Sequence, residues 1–207
     1  MNLKGIMNLV GNLLIILALS MIFPIIVSLI YFERDFFIFS FTLIITFITA
    51  IIFKMFQGEK KNFSYKDGYI TVILGWLISS IIGAIPFLLS GVFNNPLNAF
   101  FESVSGFTTT GATVINSLES LSHSLLFWRS FIHWLGGMGI IAVVIIMIPE
   151  LSANIFIYNR ETTGPFNNRI RASIKETAYL LWYIYLILTI LEIIFLHLYG
   201  MPFFDSL

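Results

Sequence analysis

Five long apolar segments constrain this chain more than any other feature. They run over about Leu9 to Tyr31, Phe36 to Phe56, Tyr69 to Leu89, Leu125 to Ile148 and Ala178 to Tyr199. Each meets the need for roughly 20 predominantly apolar residues that lets an α-helix cross about 30 Å of hydrocarbon. Within hydrocarbon every backbone N–H and C=O must find a partner inside the segment, so such stretches specify helices and not open strands. Only 11% of the residues are charged, against about a quarter in soluble domains. The predicted fold class is therefore an all-α integral membrane protein. The amino-terminal segment runs past the length of a signal-peptide core and lacks a small-x-small cleavage pattern, so it reads as a retained helix.

The charges between the segments predict the topology. Lys4 precedes the first segment; Lys54, Lys60, Lys61 and Lys66 surround the second gap; Arg160, Arg169, Arg171 and Lys175 fall in the fourth. The first gap holds only Arg34, between Glu33 and Asp35, and residues 90–124 hold no lysine or arginine. The positive-inside rule then places the amino terminus and the loops 57–68 and 149–176 in the cytoplasm. Eleven basic residues balance eleven acidic ones, which makes nucleic acid an implausible partner. Cysteine is absent, and with it thiolate metal sites and cysteine nucleophiles. With no phosphate-cradling glycine loop, Ser/His/Asp arrangement or metal-ligand cluster in the sequence, it does not read as an enzyme, and no cofactor is expected.

Residues 90–124 are long enough for structure of their own. Pro96 suits a helix start, Asn94 or Asn95 can cap it, and Leu97, Phe100, Phe101 and Val104 recur at helical spacing. Gly106 breaks the period, and Phe107 to Val114 has no rhythm of helix or strand. The expectation is a re-entrant loop: a pore helix over Pro96–Gly106, then an extended Thr/Gly strand. Such a strand offers carbonyl oxygens in place of a cation's hydration shell. Thr108, Thr109 and Thr110 add hydroxyls, and Gly111 can take positive φ. Oxygen ligands without clustered carboxylates suit a monovalent ion. The competing reading of "TTTG" is a solvated turn, since Ser/Thr/Gly clusters are ordinary loop signals.

Three strings carry a family resemblance: "FFESVSGFTTTGATV", "LLFWRSFIHWLGGMGIIAVVIIMIPEL" and "ETTGPFNNRIRASIKETAYLLWYIYLILTILEIIFL". Together they resemble the TrkH-type membrane subunit of the Trk/Ktr/HKT superfamily of cation transporters. The resemblance implies helix–pore loop–helix repeats around an ion path, with potassium as the transported ion and no other cofactor. It assigns 1–60 to a two-helix amino-terminal extension, 61–150 to a first repeat, and 151–207 to a cytoplasmic loop and the outer helix of an incomplete second repeat. It makes Thr108, Thr109, Thr110, Gly111 and Ala112 the filter, with potassium held through Thr109 and Thr110. Gly111 matches the glycine of potassium-preferring relatives; a serine there accompanies sodium preference. It further implies a bacterial inner-membrane location, a cytosolic nucleotide-binding regulatory subunit and a homodimer. "GMPFFDSL" resembles the onset of a second pore helix, so the chain reads as an amino-terminal fragment. Two alternatives stay open: an inert or interaction-only remnant, and a secondary transporter with a re-entrant solute-binding helix.

Other residues invite narrower readings. Arg129 and His133, four apart, admit a proton relay or a structural role in which Arg129 pairs with Glu102 of the pore helix and supports the loop. Glu192 and His197, five apart, face different directions. Gly136, Gly137 and Gly139 admit a hinge or the close approach of a neighbouring helix. Pro24 and Pro86 are expected to kink their helices.

Overall fold

The computed structural model describes residues 2–56, 64–139 and 166–207. Residues 57–63, the predicted inner end of the fourth segment (140–148) and 149–165, with Gly164 and Pro165, lie outside the described residues. The described part is helical, with no strand. In chain order the helices are α1 (Leu3–Ser20), α2 (Ile22–Ile30), α3 (Asp35–Met55), α4 (Tyr65–Leu89), α5 (Pro96–Phe107), α6 (123–139), α7 (Phe166–Leu198) and α8 (Phe203–Ser206). Among the described residues, four stretches are long and apolar enough to cross a membrane: Leu3–Ile30, Asp35–Met55, Lys66–Leu89 and Tyr179–Leu198. The fold is that of an all-α membrane protein.

The chain divides into two compact units, Met1–Gly137 and Met138–Leu207. In the first, Ile6, Val10, Leu14 and Leu17 form a buried stripe on α1, at the spacing that keeps side chains on one helix face. α1 packs mainly on α3, at a point where Gly11 faces the Ala50 carbonyl and the Lys54 side chain. The amino-terminal span ends at Ile30, within one residue of its expected bound, but it starts earlier and is broken internally. It begins at Leu3 because Asn2 caps it, accepting from the Gly5 amide at 2.9 Å. It is interrupted at Met21 because Pro24 has no N–H to offer the carbonyl of Ser20. Pro86, by contrast, sits inside α4 without interrupting it. α4 opens with a capping box: Ser64 Oγ accepts from the Asp67 amide and Asp67 accepts from the Ser64 amide. Asp67 also accepts from the Asn2 amide at 3.0 Å, which ties the starts of α1 and α4 together.

The short helix α5 is wedged between α4 and α6, and glycine makes the space. A Cβ at Gly83 would lie 2.6 Å from Ser103 Oγ, and one at Gly136 would strike the Phe107 carbonyl. Gly136 thus serves close approach, as small residues in membrane helices do. Trp128 of α6, fully buried, donates Nε1–H to the Gly83 carbonyl at 3.1 Å.

In the second unit α7 starts at Phe166 and not near Ala178, so the expected loop 149–176 is helical from Phe166 onward. Hydropathy detects what is apolar, and a polar helical extension escapes it. The apolar part, Tyr179–Leu198, agrees with the expected span. Past the end of α7, Gly200 takes φ +95°, and the turn is closed by bonds from Met201 N–H to the Leu196 carbonyl and from Gly200 N–H to the His197 carbonyl. Pro202 then precedes α8. The connection from α4 to α5 uses the same parts, Gly91 at φ +77° and Pro96 at the first helical position.

Candidate functional site

α5 forms for the reasons its sequence advertises. Asn95 caps it, accepting from the Leu97 amide at 3.0 Å, and Pro96 follows at a position whose N–H would be unpaired in any residue. It ends in a Schellman motif: Thr110 N–H bonds to the Ser105 carbonyl and Thr109 N–H to the Gly106 carbonyl, both at 2.9 Å. Thr109 occupies the left-handed position of that motif at φ +56°, where a β-branched residue is strained. Gly111 is left-handed as well, at φ +76°, with open space around its missing Cβ.

The expected extended strand is therefore only partly extended: Thr108 and Thr109 form a turn, and the chain then continues without regular structure, exposed throughout, over Thr110, Gly111, Ala112 and Thr113. Its internal bonds divide the carbonyls into two groups. Thr109 Oγ1 donates to the Thr108 carbonyl at 2.7 Å, and Ser105 Oγ donates to the Ala112 carbonyl at 2.6 Å. Among the described residues, the carbonyls of Thr109, Thr110 and Gly111 receive no donor. Thr108 Oγ1 bonds the Val104 carbonyl at 2.8 Å and meets Thr110 Oγ1 at 2.8 Å.

The far end of the strand is anchored to a buried charge. Glu102 is fully buried; it accepts from Arg129 Nε at 2.7 Å, from Thr113 Oγ1 at 3.0 Å and from the Val114 amide at 3.2 Å. A carboxylate in that position would be costly without a partner. The Arg129 guanidinium, 14% exposed, supplies one and leaves the pair neutral. The structure thus brings Glu102 and Arg129 together under the strand. His133 is directed elsewhere, its Nδ1 lying 2.7 Å from the Arg129 carbonyl of its own helix. Past the exit of the strand, an open cleft of about 610 Å³ combines neutral polar residues, among them Asn94, Asn98, Asn116 and Ser120, with apolar Phe93 and Ile115. No group of three or more His, Asp or Glu able to hold a metal occurs among the described residues.

Sequence reasoning missed a second polar cluster. The turn between α2 and α3 carries Glu33 to the amino end of α6, where its carboxylate accepts from His123 N–H (2.7 Å), His123 Nδ1 (3.0 Å), Ser124 N–H (3.0 Å) and Ser124 Oγ (2.6 Å). Burial raises the Glu33 pKa, but the hydrogen bonds from Ser124 and His123 outweigh it and hold the carboxyl below its ordinary range. Asp35 accepts from Ser122 Oγ and, at 3.2 Å, from Ser124 Oγ. Tyr31 stacks on the His123 ring at 3.8 Å. In the sequence Glu33 and Asp35 merely flank Arg34. The available signal was Ser-His-Ser at a helix start, a place that attracts carboxylates.

Membrane-length helices, a half-buried short helix and an exposed, carbonyl-bearing strand define a multi-pass membrane protein of the pore-loop class. The chain belongs to the TrkH family, described as cation transport proteins, whose family profile matches residues 33–203. The Trk system potassium uptake protein TrkH of Salmonella typhimurium is 38% identical across an alignment that covers all of this chain and 44% of that protein. Trk system potassium uptake protein TrkG of Escherichia coli is 34% identical over 99% of this chain and 43% of its own length. The crystal structure of the potassium transporter TrkH from Vibrio parahaemolyticus matches with a TM-score of 0.84 at 35% identity, across all of this chain and 42% of the other. This chain therefore spans less than half the length of these relatives.

Proposed function

We propose that this chain contributes one wall of a potassium path, with Thr109, Thr110 and Gly111 presenting their carbonyl oxygens to the ion. The observation that carries the reading is the division of the strand's carbonyls: those of Thr108 and Ala112 are engaged by protein hydroxyls, while the three between them are exposed without a donor. Carbonyl dipoles replace water around a weakly hydrated monovalent cation at low cost. The neutral Glu102–Arg129 pair adds rigidity without a net charge that would hold the ion too tightly. Thr108 and Ala112 then frame the site.

One strand covers one side of an ion. We infer that conduction needs further strands, from the remaining length found in the relatives or from other chains. In this reading 1–60 is an extension, 61–150 the first repeat and 151–207 the start of a second, an arrangement favoured by the shared Gly-then-Pro punctuation after α4 and α7. The protein works by transport and not by catalysis, in the bacterial inner membrane. The amino terminus faces the cytoplasm, where the basic loops meet a nucleotide-binding regulatory subunit; the complete protein is a homodimer. Charge distribution supports the orientation, and family membership supports the partners.

Gly111→Ser in the full-length transporter tests the reading. Radiotracer uptake should shift from potassium toward sodium, and unchanged ion preference would count against Gly111 as a filter residue.

A further inference from the structure

α6 presents two differently occupied faces. Ser124, Trp128 and Phe131, at helical spacing, meet the amino-terminal hairpin: Ser124 bonds Glu33 at 2.6 Å, Trp128 lies 6.0 Å from Phe39 of α3 between ring centroids, and Phe131 lies 5.2 Å from Phe23 of α2. Around the helix, Arg129, Ile132 and Gly136 meet α5, through the Glu102 carboxylate, Gly106 and the Phe107 carbonyl. Helical geometry makes these faces rigidly related, because residues one turn apart share a face while neighbouring residues do not. Whatever fixes the first face therefore also sets the second.

The bonding at the amino end of α6 exceeds what capping requires. Ser122 supplies a local cap, its Oγ accepting from the Leu125 amide at 3.4 Å. Glu33 arrives from some ninety residues away and satisfies two further amides and two side chains. A carboxylate with charge-assisted bonds to several donors resists displacement more than a local hydroxyl does. From Ser124 to Arg129 is about one and a half helical turns. Arg129 reaches Glu102 directly, and Glu102 holds Thr113 and the Val114 amide.

We infer that Glu33 is a positioning residue for the pore loop: by clamping the amino end of α6 it sets Arg129, and through the Arg129–Glu102 pair it fixes the exit of the 108–113 strand. The hairpin of α2 and α3 is thus a brace for the strand. The mechanical part stands on geometry alone; the consequence for ion preference rests on the potassium reading above.

Hydrogen–deuterium exchange on the purified full-length transporter, paired with potassium and sodium uptake into liposomes, tests this. In Glu33→Gln, exchange in peptides covering 108–116 should accelerate about tenfold, as loss of a charge-assisted bond allows local opening. Peptides covering 42–50, in the α1–α3 contact, should not change, and sodium uptake should rise relative to potassium. Glu33→Asp should restore part of both properties. Acceleration confined to 123–126, with the strand and the ion preference unchanged, would reduce Glu33 to a helix cap and overturn the inference. Should Glu33→Gln fail to accumulate, Ser124→Ala removes a single donor and is read the same way with a smaller change. A wild-type protein that takes up no potassium sinks the transport reading, while exchange in the strand still decides the brace.

Discussion

Two helix ends in this protein are built alike and do opposite things. Just past the caps of α2 and α5 lie Phe32 (φ +55°) and Thr109 (φ +56°), the two non-glycine residues with positive φ among those described. Both are closed by the same pair of backbone bonds, from Glu33 N–H to the Ser28 carbonyl and from Thr110 N–H to the Ser105 carbonyl, each with its inner companion. After Phe32 the next residue is a carboxylate, which turns inward and collects four donors. After Thr109 come a hydroxyl residue and a glycine, and the backbone stays outside with carbonyls uncommitted. The same motif ends one helix in a lock and the other in an open strand, because the side chain at the following position decides whether neighbouring donors have a partner.

The largest effect should come from removing the anchor of the open strand. Glu102→Ala leaves the Arg129 guanidinium partly buried and unpaired, which should cost about 3 kcal/mol or more, read as a lower unfolding midpoint in detergent together with loss of uptake. A smaller effect tests the lock. The folded pKa of Glu33 is depressed, so its contribution is present above the unfolded value of about 4.3 and fades as pH falls through the folded value. The stability difference between wild type and Glu33→Gln should therefore be largest near neutrality and shrink in acid; a difference independent of pH would mean that the carboxylate's charge is not what holds α6. The smallest effect separates the two turns by their strain. Phe32 is 96% exposed, so Phe32→Gly should stabilise by about 1 kcal/mol by relieving the left-handed conformation. Thr109→Gly should gain less, since it also loses the bond from Thr109 Oγ1 to the Thr108 carbonyl. Equal gains at the two positions would show that this hydroxyl contributes nothing.

The parts legible in the sequence were those set by local rules. Apolar length located α3, the apolar part of α7 and most of α4; Asn95 and Pro96 gave the start of α5, and Gly106 anticipated its end within one residue. The spacing of Glu102 and Arg129 on adjoining helices permitted their pairing. The misses have local causes too. Ser64 and Asp67 form a capping box that starts α4 earlier than hydropathy does, and the polar first turns of α7 are helical without being apolar.

By itself the sequence determined that this chain lies in a bilayer, because hydrocarbon leaves the backbone of a long apolar segment few alternatives to a helix. It also determined where the helical rhythm breaks into a Thr/Gly strand, because proline, glycine and capping residues act over a few positions. Only the tertiary structure decided which carbonyls of that strand stay free, and that Glu33 holds the helix supporting it. The first depends on the local turn that aims the Thr109 and Ser105 hydroxyls at particular carbonyls; the second depends on donors brought close from some ninety residues away, and no spacing along the sequence encodes that proximity.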